Sequence, residues 1–123
     1  MRILIIEDDS FLRRAYEVSL RSQGFDVQIA ADGEIGMRMA AENPPDAILL
    51  DILLPGLSGM QVLDQLKQNP QVSAIPVIVL SNSCTTSEAG AVLAMGASAY
   101  FSKSSAHLPE VGRKIRELCS ASD

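Results

Sequence analysis

The sequence has no tryptophan, three phenylalanines and two tyrosines, so its core must be built from aliphatic side chains. A single histidine, His107, excludes a histidine-built metal cage. The two cysteines, Cys84 and Cys119, lie far apart and in no CxxC pair, which leaves them as ordinary thiols rather than a disulfide framework or zinc site. No run of lysine or arginine stands out and the formal net charge is −5, so bulk electrostatics does not favour nucleic acid. No apolar stretch approaches the roughly 20 residues that span a bilayer. The start, Met1 to Glu7, turns acidic too soon for a signal peptide, and the cytoplasm is the expected location. What remains is a 123-residue chain that fits one compact domain, 1–123, large enough to bury a core without staples.

Linkers, repeats and low-complexity segments are also missing. Strand-like and helix-like segments alternate instead. Three apolar runs, Ile3 to Ile6, Ala47 to Leu50 and Val77 to Leu80, suit strands covered on both faces, as in a parallel sheet. Asp26 to Ala30 and Ala97 to Phe101 are mixed and suit edge strands. Between them, Ser10, Asp32 and Ser58 are placed to cap helices, and Thr85 and Glu88 have the spacing of a capping box. Leu108, Val111, Ile115 and Leu118 repeat at helical spacing after the fifth strand. Five strands alternating with five helices predict an α/β fold with a doubly wound, five-stranded parallel sheet. With the apolar strands central, the order is 2-1-3-4-5, that of flavodoxin-like sheets.

Polar residues follow four of the strands: Glu7, Asp8 and Asp9 after the first, Asp51 after the third, Ser81 after the fourth and Lys103 after the fifth. In a parallel sheet these ends share one edge, where α/β proteins place their sites. Two carboxylates near 5 Å repel by roughly 3 kcal/mol at an effective dielectric of about 20, and one lysine cannot offset several. A hard divalent cation can, and all-oxygen ligands suit Mg²⁺, which also takes substrate phosphate. Acidic residues after strands are common as helix caps, and Asp9 fits that plainer role; the joint placement is what points to chemistry.

At this point the chain resembles the receiver domain of two-component response regulators over nearly its whole length. The Glu7-Asp8 pair is similar to the family's acidic pair. Asp51-Ile52-Leu53-Leu54-Pro55-Gly56-Leu57-Ser58-Gly59 resembles its phosphoacceptor loop, D-x-x-[LM]-P-x-x-x-G. Ser81 lies 30 residues beyond Asp51 and Lys103 another 22, both family-like intervals. Tyr100 falls at the aromatic switch position, after a Gly96-Ala97 turn. The resemblance implies that Asp51 takes a phosphoryl group from a histidine kinase or histidine phosphotransfer protein. It implies Mg²⁺ on Asp8, Asp51 and the Leu53 carbonyl, with Glu7 acting through water. Lys103 and Ser81 then hold phosphoryl oxygens, promoting the domain's own phosphotransfer and autodephosphorylation. Ser81 and Tyr100 relay the change to the fourth helix, fifth strand and last helix, where an unknown output partner binds. It further implies a monomer or phosphorylation-dependent dimer that contacts neither nucleic acid nor membrane directly.

Three departures from the family pattern stand out. Ser104 replaces the usual proline after Lys103, so a trans bond is expected there. Asn82 replaces a smaller residue after Ser81 and is expected to narrow access to Asp51. Leu53 and Ser83 occupy positions that tune phosphoryl lifetime and leave it open. A haloacid-dehalogenase phosphatase would want a second aspartate where Leu53 stands, and an FMN carrier would not place Glu7-Asp8-Asp9 against a phosphate. A pseudo-receiver used only for docking is the rival reading, supported by Asn82 and Ser104 alone.

Overall fold

The computed structural model describes residues 1–54, 56–81, 86–103 and 108–120. Strands β1 (Arg2–Ile6), β2 (Asp26–Ala30), β3 (Ala47–Asp51), β4 (Val77–Ser81) and β5 (Ala99–Ser102) alternate with helices α1 (Ser10–Ser22), α2 (Gly33–Glu42), α3 (Gly59–Gln68), α4 (Thr86–Ala94) and α5 (Leu108–Ser120). All strand pairs are parallel, in the order β2-β1-β3-β4-β5. This is the expected topology.

Side-chain alternation divides the core into two layers. Leu4, Ile6, Ile48, Leu50, Val77 and Val79 face α2, α3 and α4, represented by Ala40, Val62, Leu63, Leu66 and Val92. Ile3, Ile5, Ala47, Leu49, Ile78 and Leu80 face α1 and α5, represented by Tyr16, Leu20, Val111 and Ile115. The central strands are buried on both sides, which is why their sequences read as unbroken apolar runs.

Local chemistry sets the helix ends, with one correction. Asp9, not Ser10, caps α1: its carboxylate accepts from the Phe11 and Leu12 amides at 2.9 and 3.1 Å, and Ser10 is already the first helical residue. The helix stops as expected at Gly24, whose φ of +96° suits a residue without Cβ. The Phe25 and Gly24 amides then return to the Leu20 and Arg21 carbonyls. Asp32 caps α2 through the Ile35 amide. Ser58 and Gln61 form a reciprocal capping box on α3. The expected box on α4 involves Thr85, which lies outside the described residues.

A second correction concerns β5, which begins at Ala99 rather than Ala97. Ala97 is spent on the turn: its amide bonds the Val92 carbonyl, closing the end of α4 around Gly96, and the Ser98 amide reaches Val77.

Candidate functional site

Strand register assembles the site. Ile6 pairs with Leu50, so Glu7 and Asp51 emerge side by side from the sheet edge. Asp51 pairs with Leu80, and Ser81 with Ser102, which delivers Lys103 one residue later. The Lys103 amide donates to the Ser81 carbonyl at 2.7 Å and fixes the start of that loop. Glu7, Asp51 and Ser81 are the buried polar side chains among the described residues, while Asp8 is exposed at the rim.

Lys103 is the hub. Its Nζ lies 2.8 Å from Glu7 Oε1 and 3.0 Å from Asp51 Oδ1. Burial works to lower the Lys103 pKa, but hydrogen bonding and attraction to Glu7 and Asp51 outweigh it, and the net shift is upward. The charged ammonium is therefore secure. Asp51 Oδ1 also accepts from the Leu53 amide at 3.1 Å, which fixes the carboxylate's rotamer.

Glu7 is the strained member. Burial, followed by its contact with Asp51, raises its pKa to about 7, against the opposing pull of Lys103. Its Oε1 is satisfied by distance to Lys103 but has no directed hydrogen bond. The ionic contact is the firmer description, since a 2.8 Å separation attracts whichever way the ammonium hydrogens point. One lysine is thus shared between two buried acids, and a third acid stands beside them.

Carboxylate oxygens of Glu7, Asp8 and Asp51 all lie within 4.8 Å of one another, close enough to ligate one ion. An all-oxygen donor set, net negative and with a buried oxygen lacking a directed partner, fits a hard divalent cation. Asp9 is turned away: its carboxylate is committed to α1, and its own amide bonds Glu7 Oε2 at 3.3 Å. Arg13 steadies the same loop by donating to the Glu7 carbonyl at 3.0 Å.

The glycine that closes the acceptor-loop motif has a packing reason. A Cβ at Gly59 would collide with the Asp51 carbonyl oxygen and the Ile52 Cα, so α3 can approach the end of β3 only through glycine. The Gly59 amide bonds the Ile52 carbonyl across that contact.

The chain matches the response regulator receiver domain family over residues 3–111. It belongs to that family. It is 38% identical over 118 residues to the transcriptional regulatory protein QseB of Haemophilus influenzae, covering 96% of this chain and 52% of that protein. It is 37% identical over 118 residues to the response regulator MprA of Mycobacterium leprae, covering 96% and 50%. The receiver domain thus spans about half the length of the curated relatives it matches. Among solved structures it is similar to the receiver domain of the sensor histidine kinase PA1611 of Pseudomonas aeruginosa. That pair has a TM-score of 0.88 and 28% identity over 97% of each chain, and the PA1611 domain carries a magnesium ion in its active site cleft. The response regulator receiver family to which it belongs is a two-component signalling family. No helix among its described residues is long and apolar enough to cross a membrane.

Glu7, Asp8, Asp51, Ser81 and Lys103 therefore meet at one edge, and Leu53, two residues beyond Asp51, is 65% exposed. Tyr100 stands half-buried on β5. Asn82, Ser83, Ser104 and His107 lie outside the described residues. One residue escaped the sequence reading: Glu88 of α4, whose Oε1 accepts hydrogen bonds from both Ser81 and Tyr100. Its only signal in sequence was capping-box spacing, which says nothing of a partner across the fold.

Proposed function

We propose that this receiver domain is a phosphorylation-driven switch with Asp51 as its phosphoacceptor. The observation that carries the reading is a buried aspartate at a strand end, 3.0 Å from the largely covered Lys103 ammonium and within ligating distance of Glu7 and Asp8. A carboxylate oxygen of Asp51 attacks the phosphorus of a phosphohistidine on a histidine kinase or phosphotransfer protein. The O–P bond forms as the P–N bond breaks, and the imidazole leaves as the neutral base after taking a proton from solvent. Asp8, Asp51 and the Leu53 carbonyl would hold Mg²⁺ directly and Glu7 through water. When bound, that ion supplies charge neutralisation for the phosphoryl oxygens. Lys103 shifts from Asp51 Oδ1 to a phosphoryl oxygen, and Ser81 donates its hydroxyl to another. Alignment and charge compensation are most of what phosphoryl transfer requires of a protein. The same groups promote autodephosphorylation by a water. The output is a changed α4–β5–α5 surface, read by another protein or domain in the cytoplasm, by the monomer or by a phosphorylation-dependent dimer.

The test is incubation with acetyl phosphate and Mg²⁺ followed by intact mass. One base-labile phosphoryl group is expected on the wild type and none on Asp51→Asn. Equal labelling of the Asn variant would refute the assignment. Absence of any labelling on the wild type would favour a docking module.

A further inference from the structure

We infer that Glu88 is a latch that holds the resting state, by keeping the Ser81 and Tyr100 hydroxyls on one carboxylate oxygen. The inference rests on the phosphoacceptor reading above and adds a residue to it. Ser81 Oγ donates to Glu88 Oε1 at 2.5 Å, and the Tyr100 hydroxyl donates to the same oxygen at 2.8 Å. Ser81 lies at the end of β4, Tyr100 on β5 and Glu88 in the first turn of α4. Three elements thus meet at one atom.

A hydroxyl carries one proton. While Ser81 gives it to Glu88, it cannot give it to a phosphoryl oxygen on Asp51. Capture of Ser81 by the phosphoryl group must therefore break the bond to Glu88, and a carboxylate that loses one donor holds its remaining donors differently. Tyr100 is one of those donors, so the event at Asp51 reaches β5 through a shared acceptor. The same step loosens α4. Val92 is the one fully buried side chain among those described on this helix, Leu93 is 47% exposed, and Gly90 touches nothing that a Cβ would meet. With so little apolar anchorage among its described side chains, the hydrogen bonds from Ser81 and Tyr100 to Glu88 help to seat the helix, which makes it an element with two accessible placements.

The experiment uses 3-fluorotyrosine-labelled protein. Tyr100 and Tyr16 are its only tyrosines, and Tyr16, buried in the opposite layer, is the reference for the spectra taken without beryllofluoride; it feels the charges of Lys103, Glu7 and Asp51 and so also reports binding there. Fluorine spectra are recorded for wild type, Glu88→Ala and Glu88→Gln, each alone and titrated with beryllofluoride and Mg²⁺. In the absence of beryllofluoride, Glu88→Ala is expected to move the Tyr100 resonance toward its wild-type position with beryllofluoride, leaving Tyr16 unmoved. It should also tighten apparent beryllofluoride affinity by about 10-fold, since the competing charged acceptor of Ser81 is gone. General loosening of the fold would not tighten that affinity. If the alanine variant fails to fold, Glu88→Gln decides, with a smaller change of the same sign in both readouts. An unmoved Tyr100 resonance with affinity within about twofold of wild type, or weaker binding, overturns the latch while leaving the acceptor site standing. A wild type that ignores beryllofluoride overturns the acceptor reading and the latch with it.

Discussion

Two glycine-to-alanine substitutions should move stability in opposite directions. Gly59 is the first residue of α3, and a Cβ there would overlap the Asp51 carbonyl oxygen and the Ile52 Cα and sit 2.8 Å from the Ile52 carbonyl carbon. These are backbone atoms, so no rotamer change relieves the clash; α3 must retreat or the end of β3 must bend. Overpacking of this kind costs about 1–3 kcal/mol, against at most about 1 kcal/mol gained from replacing glycine in a helix. The net expectation for Gly59→Ala is a loss of about 1 kcal/mol. With a urea m-value of roughly 2 kcal/mol per molar, the unfolding midpoint falls by about 0.5 M. Gly90 is inside α4 and a Cβ there meets nothing within 4 Å. Gly90→Ala should therefore stabilise by about 0.5–1 kcal/mol through helix propensity and reduced freedom of the unfolded chain. Urea unfolding by circular dichroism measures both. A Gly59→Ala midpoint equal to or above wild type would refute the packing account, because nothing in the sequence change itself favours glycine at a helix start. Gly59→Ala should also lower acetyl-phosphate labelling, since the displaced backbone carries Asp51.

Asp8→Asn should weaken Mg²⁺ binding in calorimetry and slightly raise metal-free stability by easing repulsion with Glu7 and Asp51. Asp9→Ala should leave Mg²⁺ affinity near wild type yet cost about 1 kcal/mol, the worth of an N-cap. The reverse pattern would exchange their roles. In EDTA, Glu7 makes stability pH-dependent. Its folded-state pKa is raised from 4.5 to about 7, so the contribution is full below pH 4.5 and is lost as pH rises through about 7. The shift corresponds to roughly 3 kcal/mol. Glu7→Gln, which mimics the protonated acid, should match wild type near pH 4.5 and exceed it near pH 8. A stability difference that stays flat across that range would count against the buried, proton-holding Glu7.

Much of the fold could be read residue by residue. Ile3 to Ile6, Ala47 to Leu50 and Val77 to Leu80 announce central strands because burial on both faces leaves no place for a polar side chain. Asp32, Ser58 with Gln61, and Gly24 mark helix ends because capping and positive φ are satisfied within a few residues. Asp51, Ser81 and Lys103 were legible as a set because a parallel sheet must bring its strand ends to one edge. The rest depended on contacts between segments distant in sequence. Which of Glu7, Asp8 and Asp9 turns outward was decided when Asp9 took the α1 amides. The start of β5 was decided by Ala97 closing on Val92. The sharing of Lys103 between Glu7 and Asp51, and the seat of Glu88 on Ser81 and Tyr100, follow from strand register and helix docking. Periodicity and capping are short-range and are written in neighbouring residues. The direction of a charged side chain at a sheet edge is settled only once every strand and helix around it is in place.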